Sequence, residues 1–309
     1  MRARTIQWLL LGTVVALALG PTSAVAYTPP PVVPWETLLP ALPTASSPQP
    51  GPVPGCTTPT IACIDYELSR MDALRAQFGC DHRGVFASTY ELLTKSLHAT
   101  LQTNANTFSD PSWVISEDAT FANMYFATID RYARGEPVPE AWQIALDTAR
   151  SGDANGLQDM LLGINAHVQR DMPYMLASVG LRAADGTSHK PDHDRFNAIL
   201  NQAYQSVVDT LAARYDPAID LMSPGFNPLL GLVGNISGDQ LVQAWRENVW
   251  RNAEALLNAR TTGDRAAVEA LIEFNAATTA RLIAAPQLPL YRPRRDAYCA
   301  VHNTPSSLS

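Results

Sequence analysis

His167 and Asp171 stand four residues apart in the run Asn165-Ala166-His167-Val168-Gln169-Arg170-Asp171-Met172-Pro173. On a helix that spacing places an imidazole and a carboxylate on one face. The pair suits either of two chemistries: two ligands to one cation, or a carboxylate that orients an imidazole as general base. The flanks, Met160 to Ile164 and Tyr174 to Val179, are strongly apolar, so this helix is expected to cross the core. Asn165, His167, Arg170 and Asp171 must then be hydrogen-bonded or ligated, because buried polar groups without partners are costly. A polar network that only sets helix packing would meet the same requirement. Pro173 lacks an amide hydrogen and is expected to kink the helix, freeing the Gln169 carbonyl.

A second polar cluster is Lys190-Pro191-Asp192-His193-Asp194-Arg195-Phe196-Asn197. Pro191 opens a helix, and acids in its first turn suit the positive end of the helix dipole. Capping accounts for Asp192 and Asp194 but not for His193, nor for Asn197 one turn later. The four side chains together have the composition of a divalent-cation or polar-ligand site. A third candidate is His82, in the turn Gly79-Cys80-Asp81-His82-Arg83. The aromatic residues Tyr90, Phe121, Tyr125, Phe126 and Trp142 have helical spacing and read as core.

The elements that must position these residues are helices. Segments 61–78, 84–104, 111–134, 138–150, 154–178, 192–214, 238–260 and 264–284 carry apolar residues at three- and four-residue spacing. Gly79, Gly135, Gly152 and Gly263 sit where helices should stop. Alternating strand patterns are nearly absent, so the expectation is one all-α domain of about eight helices over residues 56–300. Residues 215–236 read as a Pro/Gly-rich excursion, and 301–309 as a tail.

Ahead of the domain, Arg2 and Arg4 precede an apolar stretch from Ile6 to Gly20, and Ala24-Val25-Ala26 has the small residues of a signal-peptidase site. The stretch is shorter than the roughly 20 residues a membrane span requires, so residues 1–26 read as a cleaved signal peptide and the protein as secreted, without a transmembrane span. Residues 27–55 hold ten prolines and read as an extended tether. In an oxidising compartment the four cysteines should pair. Cys56 and Cys63 suit a short local loop, which leaves Cys80 for Cys299. No C-x-x-C pair favours zinc instead.

The 309-residue chain has a net charge of −7 and only two lysines, Lys95 and Lys190. That balance argues against a nucleic-acid partner and against a lysine-rich membrane patch. No G-x-S-x-G elbow, H-E-x-x-H helix, Walker loop or Rossmann fingerprint is present.

Taken together, Arg70-Met71, Gly79-Cys80-Asp81-His82-Arg83, Trp113, Phe121-Ala122 with Tyr125, Ala141-Trp142, Gly163-Ile164-Asn165-Ala166-His167 with Arg170-Asp171-Met172-Pro173, and Lys190-Pro191-Asp192-His193-Asp194-Arg195 with Asn197 resemble a largely actinobacterial family of unknown function (DUF5995). The resemblance spans about residues 64–285 and implies an all-helical fold with no established activity. His167-x-x-x-Asp171-x-Pro173 is also similar to a helix of the zinc-dependent phospholipase C and single-strand nuclease proteins. These are secreted, all-helical and hydrolyse phosphodiesters on three zincs. The histidine that follows their proline is replaced here by Tyr174-Met175-Leu176, their later H-x-x-x-[DE] pair is missing, and their N-terminal tryptophan ligand has no counterpart.

The leading expectation is a secreted hydrolase that uses a divalent metal, zinc first, on an ester or phosphoester of a small-molecule or lipid-like substrate. His167, Asp171, His193 and His82 would be ligands. Asp192 or Asp194 would orient a ligand or take a proton from bound water, Arg170 would stabilise anionic charge, and Asn165 would fix the site. Two other readings stay open. One is a non-catalytic extracellular binding protein. The other is a metal-free His/Asp pair acting on a small apolar ligand in a helical pocket.

Overall fold

A computed structural model of the chain describes residues 53–104, 106–222, 238–285 and 291–303. The expected signal peptide, most of the expected tether, most of the 215–236 excursion and the end of the expected tail lie outside the described residues. Among the described residues ten α-helices follow in order: α1 (Ile61–Phe78), α2 (Arg83–Thr103), α3 (Pro111–Ala133), α4 (Glu140–Ser151), α5 (Gly156–Asn165), α6 (Met172–Val179), α7 (Lys190–Arg214), α8 (Gly238–Asn258), α9 (Thr262–Ala284) and α10 (Tyr291–His302). A π-helical segment, Ala166–Asp171, joins α5 to α6, and a 3-10 helix, Pro217–Met222, follows α7. The described residues contain no strand, only two isolated bridges, so the all-α expectation holds.

Local sequence explains where the helices begin and end. The Asp110 side chain accepts from the Trp113 amide, with Pro111 in the first turn of α3. Asn155 and Gln158 form a capping box on α5, as do Thr261 and Asp264 on α9. Gly152 ends α4 in the left-handed region at φ 80°. Gly263 does not stop a helix: α8 already ends at Asn258, and Gly263 lies in the first turn of α9.

Segments α5, π and α6 form one continuous helical run through the centre of the molecule. α4, α8 and α9 pack on the π segment, and α3 and α8 on α6. Leu162, Met175 and Leu176 are fully buried along it. The expected kink at Pro173 takes the form of a widened turn, in which the Met172 amide bonds to the His167 carbonyl five residues back. Widening before Pro173 accommodates a ring that would otherwise meet the carbonyl of residue 169.

Both expected disulfides are formed, Cys56–Cys63 and Cys80–Cys299. The second anchors α10, a helix the sequence pattern does not announce. Only Arg295 and Cys299 are buried on α10, so it has no apolar stripe to read. Among the described residues no helix is long and apolar enough to cross a membrane.

Candidate functional site

The π segment brings His167 and Asp171 together. His167 Nδ1 lies 3.2 Å from Asp171 Oδ2. The same oxygen accepts from Trp142 Nε1 at 2.7 Å, and Asp171 Oδ1 accepts from Arg170 at 3.0 Å. Arg170 is held in turn by Glu273 on α9 at 2.8 Å. An ionised carboxylate only accepts, so the His167 proton resides on Nδ1 and Nε2 carries a lone pair. Burial pushes the His167 imidazole below its ordinary pKa, against the pull of Asp171, and keeps the ring neutral. The ring also stacks on Phe121, with centroids 3.4 Å apart and planes 6° from parallel. Position, tautomer and orientation are therefore all fixed.

Asn165 lies two residues before His167. It donates to the Ala276 carbonyl at 2.9 Å and accepts from Gln169 at 2.6 Å, tying the central run to α9. These contacts act on the helix and not on His167.

His167 Nε2 is buried without a protein partner. His167 lines a cavity of about 120 Å³ with walls from Phe86, Leu97, Phe121, Met172, Leu200 and Val208. An apolar cavity of about 150 Å³ binds benzene, so this one is of the size for a single small ring. Its polar lining comprises Thr89, Tyr90, Thr94, Glu117, Asp118, Tyr204 and Arg246 beside His167. Tyr90 OH and Thr94 Oγ1 likewise have no protein partner, and no donor residue reaches Asp118 Oδ2.

Asp118 is paired with Glu67, which reaches in from α1 and is 2% exposed. Two carboxyls hydrogen-bond only when they hold a proton between them. Burial, reinforced by the repulsion of Asp118, pushes Glu67 well above the carboxylate range. Burial also raises Asp118 to about 6, with Glu117 adding to the rise and the Glu67 hydrogen bond opposing it. Near neutral pH the pair therefore holds one proton and one negative charge. Tyr90 beside it stays neutral, raised by burial and by these carboxylates.

The remaining expected ligands are not brought to this site. His193 Nδ1 lies 2.6 Å from Glu117 Oε1, and the His193 carbonyl accepts from Arg246 at 2.7 Å. His82 Nδ1 lies 2.7 Å from Asp159 Oδ2, beside a separate space lined by Tyr125, Trp142 and Gly163. Each histidine thus has its own carboxylate. Among the described residues no three His, Cys, Asp or Glu side chains are grouped to hold a metal ion. The donor set does not fit the four-ligand centre expected from His167, Asp171, His193 and His82. The physical reason is topological: His82 opens α2, His167 sits in mid-bundle and His193 opens α7.

Asp192 and Asp194 also differ from expectation. Asp192 accepts from the amides of Ser109 and Asp110 at 2.8 and 2.7 Å and so fastens the loop before α3. Asp194 binds Lys190 Nζ at 2.8 Å. Neither lines the cavity. Arg170 spends its charge on Asp171 and Glu273 and is likewise absent from the cavity wall.

Sequence reasoning missed Glu67, Tyr90, Thr94, Glu117, Asp118 and Arg246. A signal existed for two of the acids. Glu67 interrupts the buried stripe Ile64, Met71, Leu74, and Asp118 interrupts Val114, Ile115, Phe121, Ala122. Acids at core positions of helices are rare unless they are paired.

An all-α bundle enclosing an apolar cavity with a neutral histidine at its edge is the class that fold and site define. Residues 64–286 match the family of unknown function DUF5995. The chain belongs to that family. No curated protein and no solved structure matches it.

Proposed function

We propose that the protein, exported by its N-terminal signal and carried on its proline-rich tether, is a metal-free binding pocket for a small apolar molecule, on which His167 acts as hydrogen-bond acceptor and general base. The observation that supports this reading is the His167 Nε2 atom. It is buried, neutral and without a protein partner at the edge of the cavity, with Nδ1 locked by Asp171. A carboxylate that fixes the imidazole and stabilises the protonated form gives the histidine the features of a base in acid–base catalysis. Among the described residues no side chain hydrogen-bonds to Nε2, so the proton it takes comes from the ligand itself or from a water held against it. Asp171, Trp142 and Arg170 position the base and touch nothing in the cavity.

The test is binding of ring-sized hydrocarbons and alcohols to the intact chain by calorimetry. Methylcyclopentane and cyclopentanol are expected to bind the wild type. Val208→Phe, which fills the cavity, is expected to abolish binding while leaving the helical CD spectrum unchanged. His167→Ala should weaken cyclopentanol more than methylcyclopentane. Equal binding to wild type and Val208→Phe overturns the reading.

A further inference from the structure

The carboxyl pair raises a question that His167 does not answer. Among the described residues no arginine, lysine or histidine is ion-paired with Glu67 or Asp118. The cationic side chain in the cavity wall, Arg246, is committed elsewhere. It donates to Asn197 Oδ1 at 2.8 Å and to the His193 carbonyl at 2.7 Å, and the nearby Glu117 balances its charge. The Glu67–Asp118 pair therefore leaves one negative charge uncompensated beside apolar walls, where an unpaired charge is expensive.

We propose that the natural ligand is a small apolar amine whose ammonium group is held by Asp118, His167 Nε2, Tyr90 OH and Thr94 Oγ1. This rests on the cavity being a ligand site, as read above, and names the class of ligand. All four residues line one cavity; His167 Nε2, Tyr90 OH and Thr94 Oγ1 have no protein partner, Asp118 has only the proton it shares with Glu67, and each can accept a hydrogen bond. Thr94 is 1% exposed and His167 2%, so neither is turned toward bulk water. An ammonium has three donors and no acceptor, so it bonds to Asp118 and two of the three neutral acceptors at a time, and it carries the charge that Asp118 lacks opposite it. A carboxylate ligand would meet the Asp118 charge and the His167 lone pair. An alcohol would satisfy one or two acceptors and leave the charge unpaired. The aromatic rings of Phe86, Tyr90 and Phe121 add faces that attract a cation.

The experiment is calorimetric titration of the intact chain at pH 7.5 with cyclopentylamine, cyclopentanol, cyclobutanecarboxylate and methylcyclopentane, which share a ring-sized apolar body and differ in the head. The amine is expected to bind at least tenfold more tightly than any other member. Asp118→Asn should reduce that preference to less than threefold. Should Asp118→Asn fail to fold, Tyr90→Phe with Thr94→Val is expected to weaken the amine and leave methylcyclopentane unchanged. Alcohol or hydrocarbon binding as tightly as the amine, or an amine preference that survives in the variants, overturns the proposal and leaves the cavity reading standing. No binding by any member means the cavity holds water only and overturns both.

Discussion

Two histidine–aspartate pairs are buried on either side of Phe86, and they differ in what surrounds them. His82–Asp159 and His167–Asp171 have the same residue types and the same Nδ1-to-carboxylate contact, at 2.7 and 3.2 Å. In both, Nε2 has no protein partner. His167 borders about 120 Å³ of space and His82 about 10 Å³. Phe86 lines both spaces and fits against α5 only because residue 163 is glycine, since a Cβ there would collide with the ring. Asp159 also lies 3.5 Å from Arg295 of α10, and Cys80–Cys299 closes the same corner. The His82 pair holds α2, α5 and α10 together. The His167 pair is held by its surroundings and faces a ligand-sized space. Residue pairing alone does not make a site; the volume beside the free nitrogen does.

The largest effect expected from breaking this comparison is on the His82 side. Replacing Cys80 and Cys299 by alanine should cost on the order of 5 kcal/mol, given the long loop closed, against about 2 kcal/mol for Cys56 and Cys63. Urea unfolding of each variant measures the difference. Methylcyclopentane affinity of the folded fraction should be unchanged in both.

Asp159→Ala should destabilise by about 3 kcal/mol, because it leaves buried His82 without its carboxylate and Arg295 with Asp296 as its remaining acidic partner, and should leave ligand affinity intact. His167→Gln should do the reverse, with about 1 kcal/mol lost and cyclopentylamine binding weakened tenfold or more. A His82-side variant that abolishes binding without unfolding would erase the distinction.

The buried histidines and the carboxyl pair should also respond to pH with opposite sign. His167 and His193 have depressed values, caused first by burial. Their contribution is present above the unfolded histidine value of about 6.5 and is lost as pH falls. Asp118, raised to about 6 by burial, contributes stability below the ordinary carboxylate range and loses it as pH rises through that value. Relative to wild type, Asp118→Asn should therefore gain roughly 1–2 kcal/mol between pH 5 and 7.5, measured by urea titration. A difference independent of pH would show that Asp118 does not carry the charge.

The smallest effect concerns orientation alone. Trp142→Phe removes one hydrogen bond to Asp171, should cost about 1 kcal/mol, and should weaken cyclopentanol binding a few-fold without altering methylcyclopentane binding. Equal losses for both ligands would mean repacking of the cavity wall instead.

Most of the fold was legible. Eight helical segments, the starts at Asp110-Pro111 and Lys190-Pro191, and both disulfides follow from local spacing and chemistry that the folded chain retains. α10 was not legible, because a helix held by one disulfide and one buried arginine has no apolar periodicity. Of the site, the His167–Asp171 pair could be read, since both residues lie on one helical run and its period brings them together. The carboxyl pair could not, since Glu67 and Asp118 are fifty-one positions apart on different helices.

By itself the sequence determined whatever depends on neighbours within a few turns: helix limits, caps, the polar face of residues 165–171 and the burial of that face. Only the tertiary structure decided that His82 meets Asp159 and that His193 meets Glu117, away from the His167–Asp171 pair. It also decided where side chains fail to fill space. A cavity is the volume left among α2, α3, α5, α7 and α8 once they pack, a property of all of them together and of no single segment.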